Sequence, residues 1–195
     1  MPVKPDREYR EMQMLAPTEE GHARGYATTF DSPYLLWEEN GVKYYEKVDR
    51  HALDAADMSD VVFLYNHAGM VFARTKNKTL QLWTDDKGYG VDVDLTKTAD
   101  ARNMHENIIS GNVDAMSWAF TVQEDSYDSE THTRTILKIK KVYDVSAVCY
   151  PANPDTFIGA RSFIDGVIKK EAEELREREA REKTKEIIKT LLEDY

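Results

Sequence analysis

The sequence predicts a mainly β protein with helices, of α+β class: a closed or nearly closed barrel of about eight strands, with one or two helices and a C-terminal helical tail. Three observations predict it. Alternating or apolar runs bounded by turn residues recur between Arg24 and Val148, at the spacing of a barrel or sandwich. One stretch, 97–110, breaks that rhythm with helical spacing. From Ile164 the chain holds no proline and is helix-forming and highly charged to its end.

The elements follow in order. The first 22 residues, with Pro2, Pro5, Pro17 and many charges, read as a flexible arm, 1–22. "RGYATTF" alternates and stops at Ser32-Pro33, and "YLLWEENGVKYYEKV" places Asn40-Gly41 between two strand-like runs. Asn-Gly supplies the positive φ angles of a two-residue hairpin turn. "DVVFLYNHA" is an apolar run ending at Gly69, and "TLQLWTDDKGYGVDVDL" turns at Asp86-Lys87-Gly88. There Val91, Val93 and Leu95 face one side and Asp92 and Asp94 the other. In 97–110, Met104, Ile108 and Ile109 recur at helical spacing before Gly111. "DAMSWAFTV", a charged turn "QEDSYDSETHT", "RTILKIKKV" and "YDVSAVCYPANP" complete about eight strand patterns. The barrel domain is placed at 23–163 and the charged helical tail at 164–195. In the tail, Glu and Lys or Arg stand at i, i+4 spacing, as on a solvated or partner-docking helix.

Composition excludes several classes. The chain has 195 residues and a net charge of −10. Phosphate-backbone binding is carried by Lys and Arg clusters, so no nucleic-acid partner is expected. No apolar run approaches the roughly 20 residues that span a bilayer, so no membrane partner is expected. The N-terminus has no apolar core of a secretory signal. One cysteine, Cys149, rules out an intrachain disulfide and fits a reducing compartment. There is no Cys pair, no His-Glu-x-x-His and no phosphate-cradling glycine loop, so no metal or cofactor is expected.

Three polar residues carried by strands are the candidates for chemistry. In "NVDAMSWAF", Met116, Trp118 and Phe120 point one way, and the small Ala115, Ser117 and Ala119 the other. Ser117 is therefore either a small residue chosen for close packing or a nucleophile with room above it. His67 is the one histidine that emerges from an apolar strand; His22, His51, His105 and His132 read as solvated. An imidazole is the usual proton acceptor for a serine near neutral pH, and a structural histidine is the other reading. Asp144 is an acid in an apolar strand, which is costly unless paired; it suits orientation of His67 or a structural ion pair.

Taken together, "YNH", then "G-x-V-x-x-M-S-x-x-F", then "DVSAVCYPANP" resemble the prohead, or capsid-maturation, proteases of tailed bacteriophages. The resemblance runs from about Arg24 to Ser162 and includes "GYATTF" and "HALDAA". It implies a fold similar to the herpesvirus maturation proteases (assemblins): a closed, mostly antiparallel barrel of about seven strands with surrounding helices. It implies Ser117 as nucleophile, His67 as general base and Asp144 in the third position, where the herpesvirus enzymes carry a second histidine. It implies an oxyanion hole after the last strand, from backbone N–H groups around Ala152 to Asp155, with Asn153 as a side-chain donor. The paired arginines of the herpesvirus loop are absent here until Arg161. The implied activity is serine endopeptidase cleavage of scaffold protein, or of the scaffolding segment of the major capsid protein, with autocleavage. The implied setting is the immature capsid in the host cytoplasm, with capsid and scaffold proteins as substrates and a homodimer or higher homo-oligomer as the working form. The alternative is a catalytically silent, protease-like assembly factor.

Overall fold

The protein is described by a computed structural model that covers residues 7–12, 16–149 and 158–193. The chain divides into two compact units, Met1–Gly159 and Ala160–Tyr195.

In the first unit the strands are β1 (Glu8–Met12), β2 (Ala16–Pro17), β3 (His22–Thr29), β4 (Tyr34–Glu39), β5 (Val42–Val48), β6 (Val62–Tyr65), β7 (Ala68–Arg74), β8 (Leu80–Thr84) and β9 (Gly88–Asp94). Helix α1 (Ala99–Ile109) follows, then β10 (Ala115–Asp128) and β11 (Thr133–Val148). The class is α+β, as expected, but the strands do not close into a barrel. They form a seven-stranded sheet, β1-β10-β11-β5-β4 with β6 on β11 and β7 on β6, and a four-stranded sheet, β2-β3-β9-β8. Among the described residues, the sheets' ladders are linked by a bridge from Phe30 to Val48. A barrel needs one unbroken ladder. Two packed sheets show the same inward and outward alternation, so the sequence pattern does not tell them apart.

One core lies between the sheets. Tyr89, Val91 and Val93 of the small sheet meet Met116, Trp118, Phe120, Val142 and Val145 of the large one. The Tyr89 and Trp118 rings lie 5.5 Å apart. Helix α1 adds Ala101, Met104 and Ile108, while Ile109 points to solvent. The Thr98 hydroxyl caps α1 by accepting from the Ala101 N–H, and Gly111 leaves the helix at φ +74°. His105, expected in solvent, is buried on this helix, its Nε2 3.0 Å from the Thr18 carbonyl. The backbone around Gly88 leaves no room for a side chain: an added Cβ would sit 2.0 Å from the Thr28 carbonyl oxygen. Gly88→Ala must open the β3–β9 pairing and is expected to cost roughly 1–3 kcal/mol, read as a lower urea midpoint.

The β10–β11 hairpin organises the large sheet. "QEDSYDSETHT", read as a turn, mostly continues the two strands, with pairing as far as Asp128 to Thr133. Their polar residues stand on an exposed ladder, which mimics turn composition. β11 is long enough to take two parallel partners, β5 on Thr133–Ile136 and β6 on Asp144–Ala147.

Residues 8–12 of the supposed arm are a strand. β1 pairs antiparallel with β10, with Tyr9 opposite Ala119 and Arg10 opposite Trp118. A buried ionic cluster holds it there. Arg10 donates Nε and Nη2 to the two carboxylate oxygens of Glu46, at 2.5 and 2.7 Å. Tyr34 donates to the same carboxylate. Arg134 donates to Glu46 at 3.1 Å, to both oxygens of Glu8 at 2.7 and 2.9 Å, and to Asp125 at 2.6 Å. A charge-rich segment reads as solvated when its partners lie 36 and 126 positions away. Burial alone would push the Glu8 carboxyl up, but the Arg10 and Arg134 guanidiniums together outweigh it and hold it at about 2. A lowered carboxylate pKa stabilises the fold above its unfolded value, near 4.5, and that contribution is lost as pH falls through the folded value. The urea midpoint is expected to drop between about pH 4.5 and 2, and to drop less in Glu8→Gln.

The second unit is the body of helix α2 (Ile158–Glu193). Its described side chains are mostly charged and exposed, with Lys170–Glu174 and Arg181–Glu177 at i, i+4 and Lys185–Glu182 at 2.6 Å. Leu175 and Ile188 are exposed. No helix among the described residues is long and apolar enough to cross a membrane.

Candidate active site

Three sequence-distant side chains meet on the outer face of the large sheet. Ser117 lies on β10 opposite Ser146, and Asp144 lies on β11 opposite Ala119. Met116, Trp118 and Phe120 fill the core from the other face of the strand, as the alternation predicts. The small face does leave room, and the His67 imidazole occupies it.

His67 does not end a strand; it sits at the second position of a two-residue hairpin turn. Tyr65 pairs with Ala68, and Asn66 and His67 between them have φ of +48° and +55°. Such a turn favours Asn followed by Gly. A side chain in this left-handed region costs on the order of 1–2 kcal/mol. The site offsets the cost with hydrogen bonds. The Asn66 N–H donates to the Ala147 carbonyl at 2.9 Å, and the His67 N–H donates to Ser146 Oγ at 3.2 Å.

The imidazole bridges the other two groups. Nδ1 lies 2.5 Å from Asp144 Oδ1 and Nε2 lies 2.7 Å from Ser117 Oγ. A carboxylate only accepts, so the shared proton of the first contact sits on Nδ1. A neutral imidazole then has a lone pair on Nε2, and the Ser117 hydroxyl donates to it. The array is nearly dry: Ser117 is 2 % and Asp144 3 % exposed. A carboxylate this deep needs donors. Asp144 Oδ1 receives a second one from the fully buried Ser146 hydroxyl, at 2.8 Å.

Sequence reasoning missed Ser146. The signal was present, since "DVS" puts Asp144 and Ser146 on one face of a strand at i, i+2. His22 makes a different pair: its Nδ1 is 2.7 Å from Asp92, which Arg24 also holds. Asn153 and the backbone of Ala152 to Asp155, expected to form the oxyanion hole, lie outside the described residues. Among the described residues, no group of three His, Cys, Asp or Glu side chains is placed to hold a metal ion.

A hydroxyl, an imidazole and a buried carboxylate hydrogen-bonded in series are the constellation used by serine hydrolases on unrelated folds. The chain belongs to the caudovirus prohead serine protease family, whose model matches residues 8–170. No curated protein matches the chain. Among solved structures, the capsid assembly protease gp21 of bacteriophage T4 is 9 % identical, with an alignment covering 73 % of this chain and 97 % of that one at a TM-score of 0.47.

Proposed function

We propose that the chain is a serine endopeptidase that works by an acyl-enzyme mechanism. The observation that carries this reading is the His67 imidazole, bonded at one nitrogen to Ser117 and at the other to Asp144. Ser117 Oγ attacks a peptide carbonyl while its proton passes to His67 Nε2. The imidazolium then gives that proton to the leaving amine, and water repeats the sequence to release the acyl group. Asp144 keeps the proton on Nδ1 and stabilises the imidazolium. Ser146 fixes the carboxylate. The oxyanion would be met by donors around Asn153.

Family membership supports the substrate class: scaffold protein, or the scaffolding segment of the major capsid protein, within an immature capsid in the host cytoplasm. Autocleavage, a homodimeric or higher homo-oligomeric working form, and kinship with the herpesvirus maturation proteases belong to the same reading. So does the division into arm, protease domain 23–163 and tail 164–195, with the correction that β1 is integral to the first unit.

The test is a serine-reactive phosphonate probe applied to the full chain, alone and co-expressed with a capsid and scaffold pair. Modification of Ser117 together with substrate cleavage supports the endopeptidase. Failure to label in every assembly state points instead to a catalytically silent assembly factor.

A further inference from the structure

The imidazole is placed by three atoms: Cγ, bonded to its own side chain, and Nδ1 and Nε2, hydrogen-bonded to Asp144 and Ser117. Those hydrogen bonds hold only while the side-chain torsions of the turn residue that carries the ring stay put, and its backbone sits in a conformation from which a non-glycine residue tends to relax. Packing against the ring adds to that hold, and the register of the sheet shows what is available. Tyr9, Ala119 and Asp144 are directly opposed across β1, β10 and β11, so they stand on one face in one row. Ser117 and Ser146 form the next row. Ala119, between Tyr9 and Asp144 in its row, is fully buried and carries only a methyl, so it adds little bulk between them. On the side away from Asp144 the imidazole meets the Tyr9 ring edge-on, with centroids 4.7 Å apart and planes at 72°.

We propose that Tyr9 is a positioning residue for His67, and that β1 is therefore a working part of the site. The proposal rests on the endopeptidase reading. Successive residues of β1 divide the labour. Arg10 points to the opposite face, over the Phe120 ring, and its guanidinium is locked on the buried Glu46. Tyr9 is thus delivered to the imidazole by an anchor one residue away. The contact with the imidazole is made by the ring, so phenylalanine should serve.

The experiment compares Tyr9→Ala, Tyr9→Phe and Tyr9→Leu with the parent and with Ser117→Ala, in the full chain. Tyr9→Ala is expected to lower kcat roughly ten- to hundredfold, the cost of about 1 Å of misplacement, with KM nearly unchanged. Tyr9→Phe is expected to stay within about twofold of the parent, since the ring that holds the geometry is kept. In parallel, the far-downfield proton resonance of the His67–Asp144 hydrogen bond is recorded without substrate. It should persist in Tyr9→Phe and broaden or vanish in Tyr9→Ala. Should Tyr9→Ala not fold, Tyr9→Leu, apolar but lacking the ring, is read in its place. A parent-like kcat and resonance in the ring-less variant, or a loss shared by Tyr9→Phe, overturns the proposal. Cleavage retained in Ser117→Ala overturns the serine nucleophile instead, and no cleavage by the parent overturns the endopeptidase reading; in either case the resonance still decides the part played by Tyr9.

Discussion

Ser117→Ala is expected to lower kcat/KM for peptide cleavage by at least about 10³-fold while leaving the unfolding free energy from urea titration within about 1 kcal/mol of the parent. The asymmetry follows from the geometry. Ser117 Oγ is bonded to His67 Nε2, and no packed volume is lost beyond one oxygen. The effect on chemistry is total, because the attacking atom is gone. His67→Ala should match it, since triad members act as a unit and their losses do not add. His67→Gly separates stability from activity most cleanly. It should relax a turn held at φ +55° while removing the base altogether. Asp144→Asn is also expected to lower kcat strongly. The amide would present a donor or a weaker acceptor to Nδ1, favouring the tautomer with its proton on Nε2, where Ser117 must be deprotonated. A Ser117→Ala variant that still cleaves a co-expressed scaffold protein would remove the nucleophile assignment.

The largest expected stability effect lies at a residue with no part in the chemistry. Glu46 is fully buried and accepts from Arg10, Tyr34 and Arg134. Glu46→Ala leaves Arg10, itself 2 % exposed, without its bidentate partner. Stranding a buried charge in this way costs about 3–5 kcal/mol. A urea titration should show it as a lower midpoint with little change in slope. The loss should be far smaller when Glu8, Arg10, Glu46 and Arg134 are replaced together by apolar residues of similar volume, because no deeply buried charge is then left behind. A single Glu46→Ala that is neutral would mean the cluster is solvated in solution. If β1 seats Tyr9 as proposed, the single variant should lose activity beyond its loss of folded protein, since weakening the Arg10 anchor loosens the wall beside His67.

Much of the site was legible because it is local. The period-two alternation around Ser117 and the apolar run before His67 needed no knowledge of neighbours. Asp144 stood out as a charge among valines. Asn40-Gly41 was read for the same reason: its φ of +52° and +81° is a property of two adjacent residues. The turn at Asn66-His67 was missed because its second position carries His where Gly is the usual residue. What offsets that choice, the Ser146 hydroxyl, lies 79 positions away. Glu8 and Arg10, within the charged arm, misled for a related reason. A charge is solvated by default, and only a partner across the sheet reverses that default.

The sequence by itself determined the turns at Asn40-Gly41 and Asp86-Lys87-Gly88, which faces of the strands are apolar, that a helix lies within 97–110, and which three side chains could do chemistry. Those are consequences of backbone preference and side-chain periodicity over a few residues. Only the tertiary structure decided that the strands form two packed sheets, that His67 reaches Ser117 and Asp144 across 50 and 77 positions, and that a charged N-terminal strand walls the imidazole. Strand pairing and register are set by which distant surfaces bury one another best, and a local pattern with period two is compatible with many such pairings.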